Sequence, residues 1–148
     1  MSPKTKYKSF YYKARTTWTT GWRGDIAAEH KPDIETGSPP EFAGTADVWA
    51  PEELLVSAVN TCLMLTFLKM AKASGVTPQS YESDADGLLE NVDGVYAMTN
   101  IAVRPRVTVK SEADLALART TMAGVEARCF MAQSVKAKVT LVPDFSVG

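Results

Sequence analysis

Apolar and polar residues alternate with a period of two over residues 8–20. Phe10, Tyr12, Ala14, Thr16 and Trp18 fall on one side, and Tyr11, Lys13, Arg15, Thr17 and Thr19 on the other. That period predicts a half-buried strand. Gly21-Trp22-Arg23-Gly24-Asp25 reads as a turn, because glycines are free to take positive φ. Ile26 to Ile34 can hold one or two short return strands, interrupted at Pro32. Glu35 to Ala50 is a loop by composition, with Gly37, Ser38, Pro39, Pro40, Gly44 and Asp47. A loop of that length inside a compact domain is uncommon and often functional.

The period then changes. Pro51 sits where a helix favours proline, in its first turn, and Glu52 and Glu53 complement the helix dipole there. Helix signals run to about Ser74, with Gly75 as the stop. Leu54, Leu55, Ala58, Val59, Cys62, Leu63, Leu65, Thr66, Leu68 and Met70 cover most of the circumference, which predicts a central, buried helix. Two strand-like segments follow, roughly Gln79–Glu90 and Val95–Lys110. Asp93-Gly94 between them is a hairpin signal. Ile101, Val103, Val107 and Val109 alternate with a break, and Pro105 implies an edge or a bulge. Ser111 is an N-cap candidate ahead of Glu112 and Asp114. Leu115, Ala118, Met122, Val125 and Cys129 recur at helical spacing, so Cys129 lies on the buried face of a second helix or at its end, with Gly124 weakening it by about 1 kcal/mol. Val135 to Val142 reads as a last strand. The order of elements is that of an α+β fold.

Composition narrows this only a little. The 148 residues fit a single domain, 1–148, with a sizeable core. The formal net charge of -1 gives no reason to expect nucleic acid. Lys4, Lys6, Lys8, Lys13 and Arg15 make the N-terminal region mildly basic, which reads as solvation. The Lys-rich start leads into Phe10-Tyr11-Tyr12-Lys13 rather than an apolar run, so no signal peptide is expected. The longest apolar stretch, Leu54 to Leu68, is expected to be too short for a bilayer, which needs about 20 residues. A cytoplasmic location follows, where a cysteine pair serves catalysis, redox sensing or packing rather than a structural disulfide.

Several chemistries fail on inventory. His30 is the only histidine and sits between Glu29 and Lys31-Pro32, so it reads as a surface residue rather than the base of a triad. Paired metal-ligand spacing, Cys-x-x-Cys and a Gly-rich phosphate loop are missing from the sequence, so no metal or cofactor is expected. Two cysteines remain, Cys62 and Cys129, 67 positions apart. Taken alone, each reads as a core residue. A reactive cysteine needs positive charge or hydrogen-bond donors beside its thiolate. Arg23 is the candidate for that charge.

Pro51-Glu52-Glu53-Leu54-Leu55 leading to Cys62, then Lys69 and Gly75-Val76, resembles the central helix of the osmotically induced (OsmC) and organic hydroperoxide resistance (Ohr) protein family. Gly37-Ser38-Pro39-Pro40-Glu41-Phe42-Ala43-Gly44 resembles the loop entering that helix, and Cys129 with Ser134 and a closing strand resembles the second cysteine segment. The resemblance runs from about the Arg23 turn to the end of the chain. It implies an OsmC-like fold: a mixed sheet, a long buried central helix and an intertwined homodimer with active sites at its interface. It implies a thiol-dependent peroxidase with Cys62 peroxidatic, Cys129 resolving, and Glu52 and Arg23 as active-site partners. A hydroperoxide would be the substrate and an external dithiol, such as a lipoyl group, the reductant. Phe130 stands where many members carry proline, Trp49 where a small or polar residue is common, and Thr45-Ala46-Asp47-Val48 is less glycine-rich than usual. These departures point to an OsmC-like branch.

An apolar surround of Leu63, Met64, Phe67, Phe130 and Met131 would favour bulky alkyl hydroperoxides. Glu52 and Cys62 lie ten residues apart, about 15 Å along a continuous helix. Serving one site therefore requires either a break in the helix or Glu52 from a partner subunit, and the partner is the expected source. A different class remains open: a non-catalytic OsmC-like protein binding a small apolar or sulfur-containing ligand among Trp22, Trp49 and Phe130.

Overall fold

The computed structural model describes residues 7–148, so Lys4 and Lys6 of the basic segment lie outside the described residues. The chain divides into two compact units, Met1–Pro51 and Glu52–Gly148.

The first unit holds a three-stranded antiparallel sheet in the order β1 (Arg15–Thr20), β2 (Arg23–Ala27), β3 (Ile34–Gly37). The expected strand over 8–20 is shorter than its alternation suggested: residues 7–14 have no regular secondary structure, and β1 is exposed along its whole length. Alternation shows which face a strand could bury, and within this unit no layer covers either face of β1. The turn is also tighter than expected. It comprises Gly21 (φ 53) and Trp22, so Arg23 is the first residue of β2 and pairs with Gly37. The long loop is tied back onto β3. Gly37 N–H and the Thr36 hydroxyl both donate to the Trp49 carbonyl, at 3.1 and 2.7 Å.

The second unit opens with α1 (Pro51–Ala73), stopped by Gly75 at φ 85. β4 (Ser80–Val92) and β5 (Val95–Val109) form a long antiparallel hairpin. Asp93 (φ 53) and Gly94 (φ 89) make its turn, both left-handed as a two-residue hairpin of this kind requires. A bulge follows at Leu88/Leu89. β5 is the central strand. On its other side it pairs in parallel first with β6 (Lys138–Leu141) and then with β7 (Asp144–Val147). The expected single closing strand is thus two, separated at Val142-Pro143.

Pro105 sits neither on an edge strand nor at the bulge. It lies in β5 where the neighbour changes from β6, ending opposite Val103, to β7, starting opposite Arg106. A residue without an N–H suits that seam. Pro105 also completes the alternation, because Ile101, Val103, Pro105, Val107 and Val109 are all fully buried.

The core of this unit packs Val59, Leu63, Phe67 and Ala71 of α1 with the inner face of β5 and with Ala118, Met122, Val125 and Cys129. Those four α1 positions recur every four residues, one stripe of the helix. One chain buries only this side of the helix that the sequence reads as central: Leu55 and Leu65, on the outer side, are 40% and 46% exposed in the single chain. The helix also exceeds the apolar stretch read from sequence. It has 23 residues, and the mean hydropathy of 1.7 over its most apolar 18-residue window makes it long and apolar enough to cross a membrane, but its inner stripe is the core of the sheet layer. The second helix is split. α2 (Glu112–Ala123), capped by Ser111 accepting from Asp114 N–H, ends at Gly124, and a single turn, α3 (Val125–Arg128), follows.

Candidate active site

Cys62 lies on α1 midway along the helix, and Cys129 is the residue that caps α3. The two come from distant parts of the sequence and meet in the second unit, where each thiol shifts the pKa of the other. Both are free thiols. Cys62 is partly exposed and Cys129 is fully buried.

The turn after α3 is tightly bonded. Cys129 N–H donates to the Glu126 carbonyl at 3.3 Å, and Gln133 N–H to the Cys129 carbonyl at 3.0 Å. The Ser134 hydroxyl donates to the Phe130 carbonyl at 2.6 Å. Ala132 N–H donates to Cys129 Sγ at 3.4 Å. Such a turn directs successive N–H groups to one side, a concavity that favours negative charge.

The two sulfurs differ in consequence. Partial burial works to raise the Cys62 pKa, but the Met131 N–H, the Cys129 thiol, the Thr66 hydroxyl and the Phe130 N–H outweigh it, and the thiol is held below its ordinary value. Burial pushes the Cys129 thiol up. Ala132 N–H opposes that, while the hydrogen bond and the charge of Cys62 add to it. Cys62 is therefore the more readily ionised thiol of the pair and Cys129 the less. The Thr66 hydroxyl, one turn along α1, gives its single proton to the Cys62 carbonyl at 2.7 Å, and serves the sulfur only when it rotates away from that carbonyl.

Sequence reasoning missed these donors. Thr66 was findable, since a residue four positions on shares a helix face. The N–H groups of Phe130 and Met131 leave no side-chain trace. Part of the expected apolar surround is also corrected. Leu63 and Phe67 are fully buried in the core, where they cannot line an open approach. A groove of about 530 Å3, lined by Thr66, Lys69, Met70, Ala127, Arg128, Phe130 and Gln133, opens next to residues that neighbour both thiols, though neither sulfur lines it. A second hollow of about 440 Å3, between α2 and the β6–β7 end of the sheet, contains none of the groups facing the sulfurs.

Arg23 belongs to the first unit. Its Nη1 donates to both Asp47 carboxylate oxygens, at 3.1 and 3.2 Å, and Glu35 lies 3.9 Å from Nη2. The Thr45 hydroxyl and then Arg23 hold the exposed Asp47 carboxyl below its usual range. Glu52 sits in the first turn of α1, and its Oε2 is buried without a partner among the described residues. α1 runs unbroken from Glu52 past Cys62, so the two are separated by the helix rise, about 15 Å. Trp22 and Trp49 are exposed in the first unit, whereas Phe130 lines the groove in the second. His30 is exposed at 3.3 Å from Glu29.

Fold and site together define an α+β protein with a pair of unequal, interacting thiols. Residues 44–143 match the model of the OsmC-like protein family, and the chain belongs to that family. It is 29% identical over 143 residues to the uncharacterized protein YmaD of Bacillus subtilis, covering 93% of each chain. It is 33% identical over 95 residues to the peroxiredoxin OsmC of Escherichia coli, covering 62% of this chain and 63% of that one. Among solved structures, an OsmC-like protein of unknown function from Vibrio cholerae has a TM-score of 0.83 at 23% identity, covering 91% of this chain and 99% of that one. An organic hydroperoxide resistance protein from Elizabethkingia anophelis has a TM-score of 0.73 at 12% identity, covering 95% and 100%. At those identities the likeness establishes the OsmC-like fold.

Proposed function

We propose that the chain is a cytoplasmic thiol-dependent peroxidase for organic hydroperoxides, with Cys62 peroxidatic and Cys129 resolving. The observation that carries this reading is the unequal thiol pair: an accessible Cys62 whose pKa is drawn down by N–H groups of the turn after α3, interacting with a buried Cys129 whose pKa is pushed up. The names of the E. coli and E. anophelis relatives support the same chemistry.

In the first step the Cys62 thiolate attacks the terminal oxygen of the hydroperoxide. The O–O bond breaks, the alkoxide takes a proton and leaves as an alcohol, and the sulfur becomes a sulfenic acid. The Cys129 sulfur then attacks the Cys62 sulfur. Hydroxide leaves, takes the thiol proton as water, and a disulfide remains. An external dithiol, of lipoyl or similar type, reopens it by exchange, supplying two electrons and two protons.

A homodimer completes the site in this reading. An unbroken α1 prevents Glu52 from reaching the Cys62 of its own helix, and its buried, unpartnered Oε2 fits a group from elsewhere. A second copy seated on the outer apolar face of α1 would bring its Glu52 to the site, and Arg23 is the cation that orients the peroxide and supports the thiolate in this reading.

The test is a free-thiol count and intact mass after one equivalent of cumene hydroperoxide is added to the reduced protein. Loss of two thiols with a mass decrease of two hydrogens, abolished in Cys62→Ser and Cys129→Ser, is the expected result. Two thiols untouched after minutes would sink the peroxidase and favour a ligand-binding role.

A further inference from the structure

The groove beside the thiols is mostly apolar, yet it carries two cations and no carboxylate. Lys69 and Arg128 both line it, both are exposed, and neither takes part in any ion pair among the described residues. The arginines that do form ion pairs sit on strands: Arg23 reaches Asp47 and Glu35, Arg104 reaches Asp86, and Arg106 reaches Glu82 and Asp84. Lys69 and Arg128 instead flank Met70 and Phe130. Two unneutralised charges over an apolar floor match an amphiphilic anion, whose hydrocarbon body covers the floor while its charged end meets the cations.

Position relates the cations to the chemistry. The groove approaches Cys62 through Thr66, one turn further along α1, and Phe130, next to Cys129 in the chain; both residues line it. Lys69 lies seven residues beyond Cys62 on the same helix, about 10 Å of rise, and its Cβ tilts back toward the cysteine. Arg128 ends α3 one residue before Cys129, so the second cation arrives from the other thiol's element.

We propose that Lys69 and Arg128 form an anion subsite that selects hydroperoxides carrying a carboxylate roughly 6–10 Å from the O–O bond. The apolar body lies over Met70 and Phe130, and the peroxide end reaches Cys62 past Thr66. This assignment rests on the peroxidase reading and names the substrate class for the same site. Uncharged alkyl hydroperoxides fit the floor but leave both cations unmatched, so selection shows in KM rather than kcat.

The experiment compares cumene hydroperoxide with its para-carboxylate, 4-(2-hydroperoxypropan-2-yl)benzoate, a pair differing in one charge. Wild-type protein is expected to favour the carboxylate by about tenfold in kcat/KM, the order that two partly exposed charge contacts supply. Added salt should shrink that preference. In Lys69→Gln/Arg128→Gln the ratio of the two substrates should fall to near one. Equal use of the two substrates by wild-type protein, or a preference that survives in the double variant, overturns the subsite while the peroxidase stands.

Binding of the unreactive 4-isopropylbenzoate, followed by titration calorimetry, separates the two ideas. Binding to the wild type but not to the double variant, with neither hydroperoxide consumed, keeps the subsite and sinks the peroxidase. Binding that is absent, or indifferent to the two substitutions, overturns the subsite.

Discussion

Cys62 and Cys129 carry the same functional group and are shifted in opposite directions by groups a few residues apart. The N–H of Met131 helps draw the Cys62 pKa down, whereas desolvation pushes that of Cys129 up. Alkylation with iodoacetamide, followed by peptide mass spectrometry across pH, should therefore show Cys62 reacting with a midpoint below the ordinary thiol value of 9.0 and Cys129 above it. A single shared midpoint would contradict the assignment. The linkage signs are opposite. Cys62, with its folded value depressed, stabilises the fold above the ordinary pKa, and this contribution is lost as pH falls through the folded value. Cys129, with its value raised, contributes below the ordinary pKa, and that is lost as pH rises through the folded value. The two partly cancel in an unfolding curve, so reactivity is the cleaner readout. Thr66→Val removes one donor toward Cys62 and should raise its pKa and slow peroxide reduction several-fold at neutral pH, with secondary structure unchanged. At this scale the sequence displayed the two sulfurs but not what distinguishes them. Pattern reading registers side chains, and two of the four donors are backbone N–H groups.

Among the elements, α1 sets the separation of the chemical groups and the sheet sets the position of α1. Gly87 on β4 is the point of closest approach. A Cβ there would lie 2.5 Å from Cγ2 of Val56 and 2.8 Å from Sδ of Met98. Methionine can yield, but valine on a packed helix cannot without moving α1. Gly87→Ala is expected to cost about 1–3 kcal/mol in chemical denaturation. A neutral result would mean that the helix floats on the sheet. The unbroken helix also makes the sharing of sites measurable. Mixing Glu52→Ala chains with Cys62→Ser chains should restore one working site per heterodimer, while no recovery would count against partner-supplied Glu52. The start of α1 at Pro51, its stop at Gly75, the Asp93-Gly94 hairpin and the Ser111 cap were legible because each depends on local backbone chemistry. The burial of β1 and α1 was not, because alternation and apolar circumference record only what a surface could bury. The split closing strand was missed for a related reason: Pro143 reads as a strand end only once β5 is known to accept two successive partners.

For the whole molecule, the apolar residues left open on α1 predict self-association. Leu65→Glu should shift the protein toward monomer in sedimentation or light scattering and, if sites are shared, should lower peroxidase activity with it. A monomeric wild-type protein would remove the basis for partner-supplied residues. One further consequence lies in chain topology. Cys62 precedes the long hairpin and Cys129 follows α3, so a bond between them would close a loop spanning most of the second unit, 67 positions from end to end. In the chain-entropy account, closing a loop of that length costs the unfolded ensemble about 4 kcal/mol of its freedom. The oxidised protein should therefore melt at a higher temperature than the reduced one. Each turnover would tighten and then loosen the same fold, and the reductant would act against a better-braced molecule than the peroxide met.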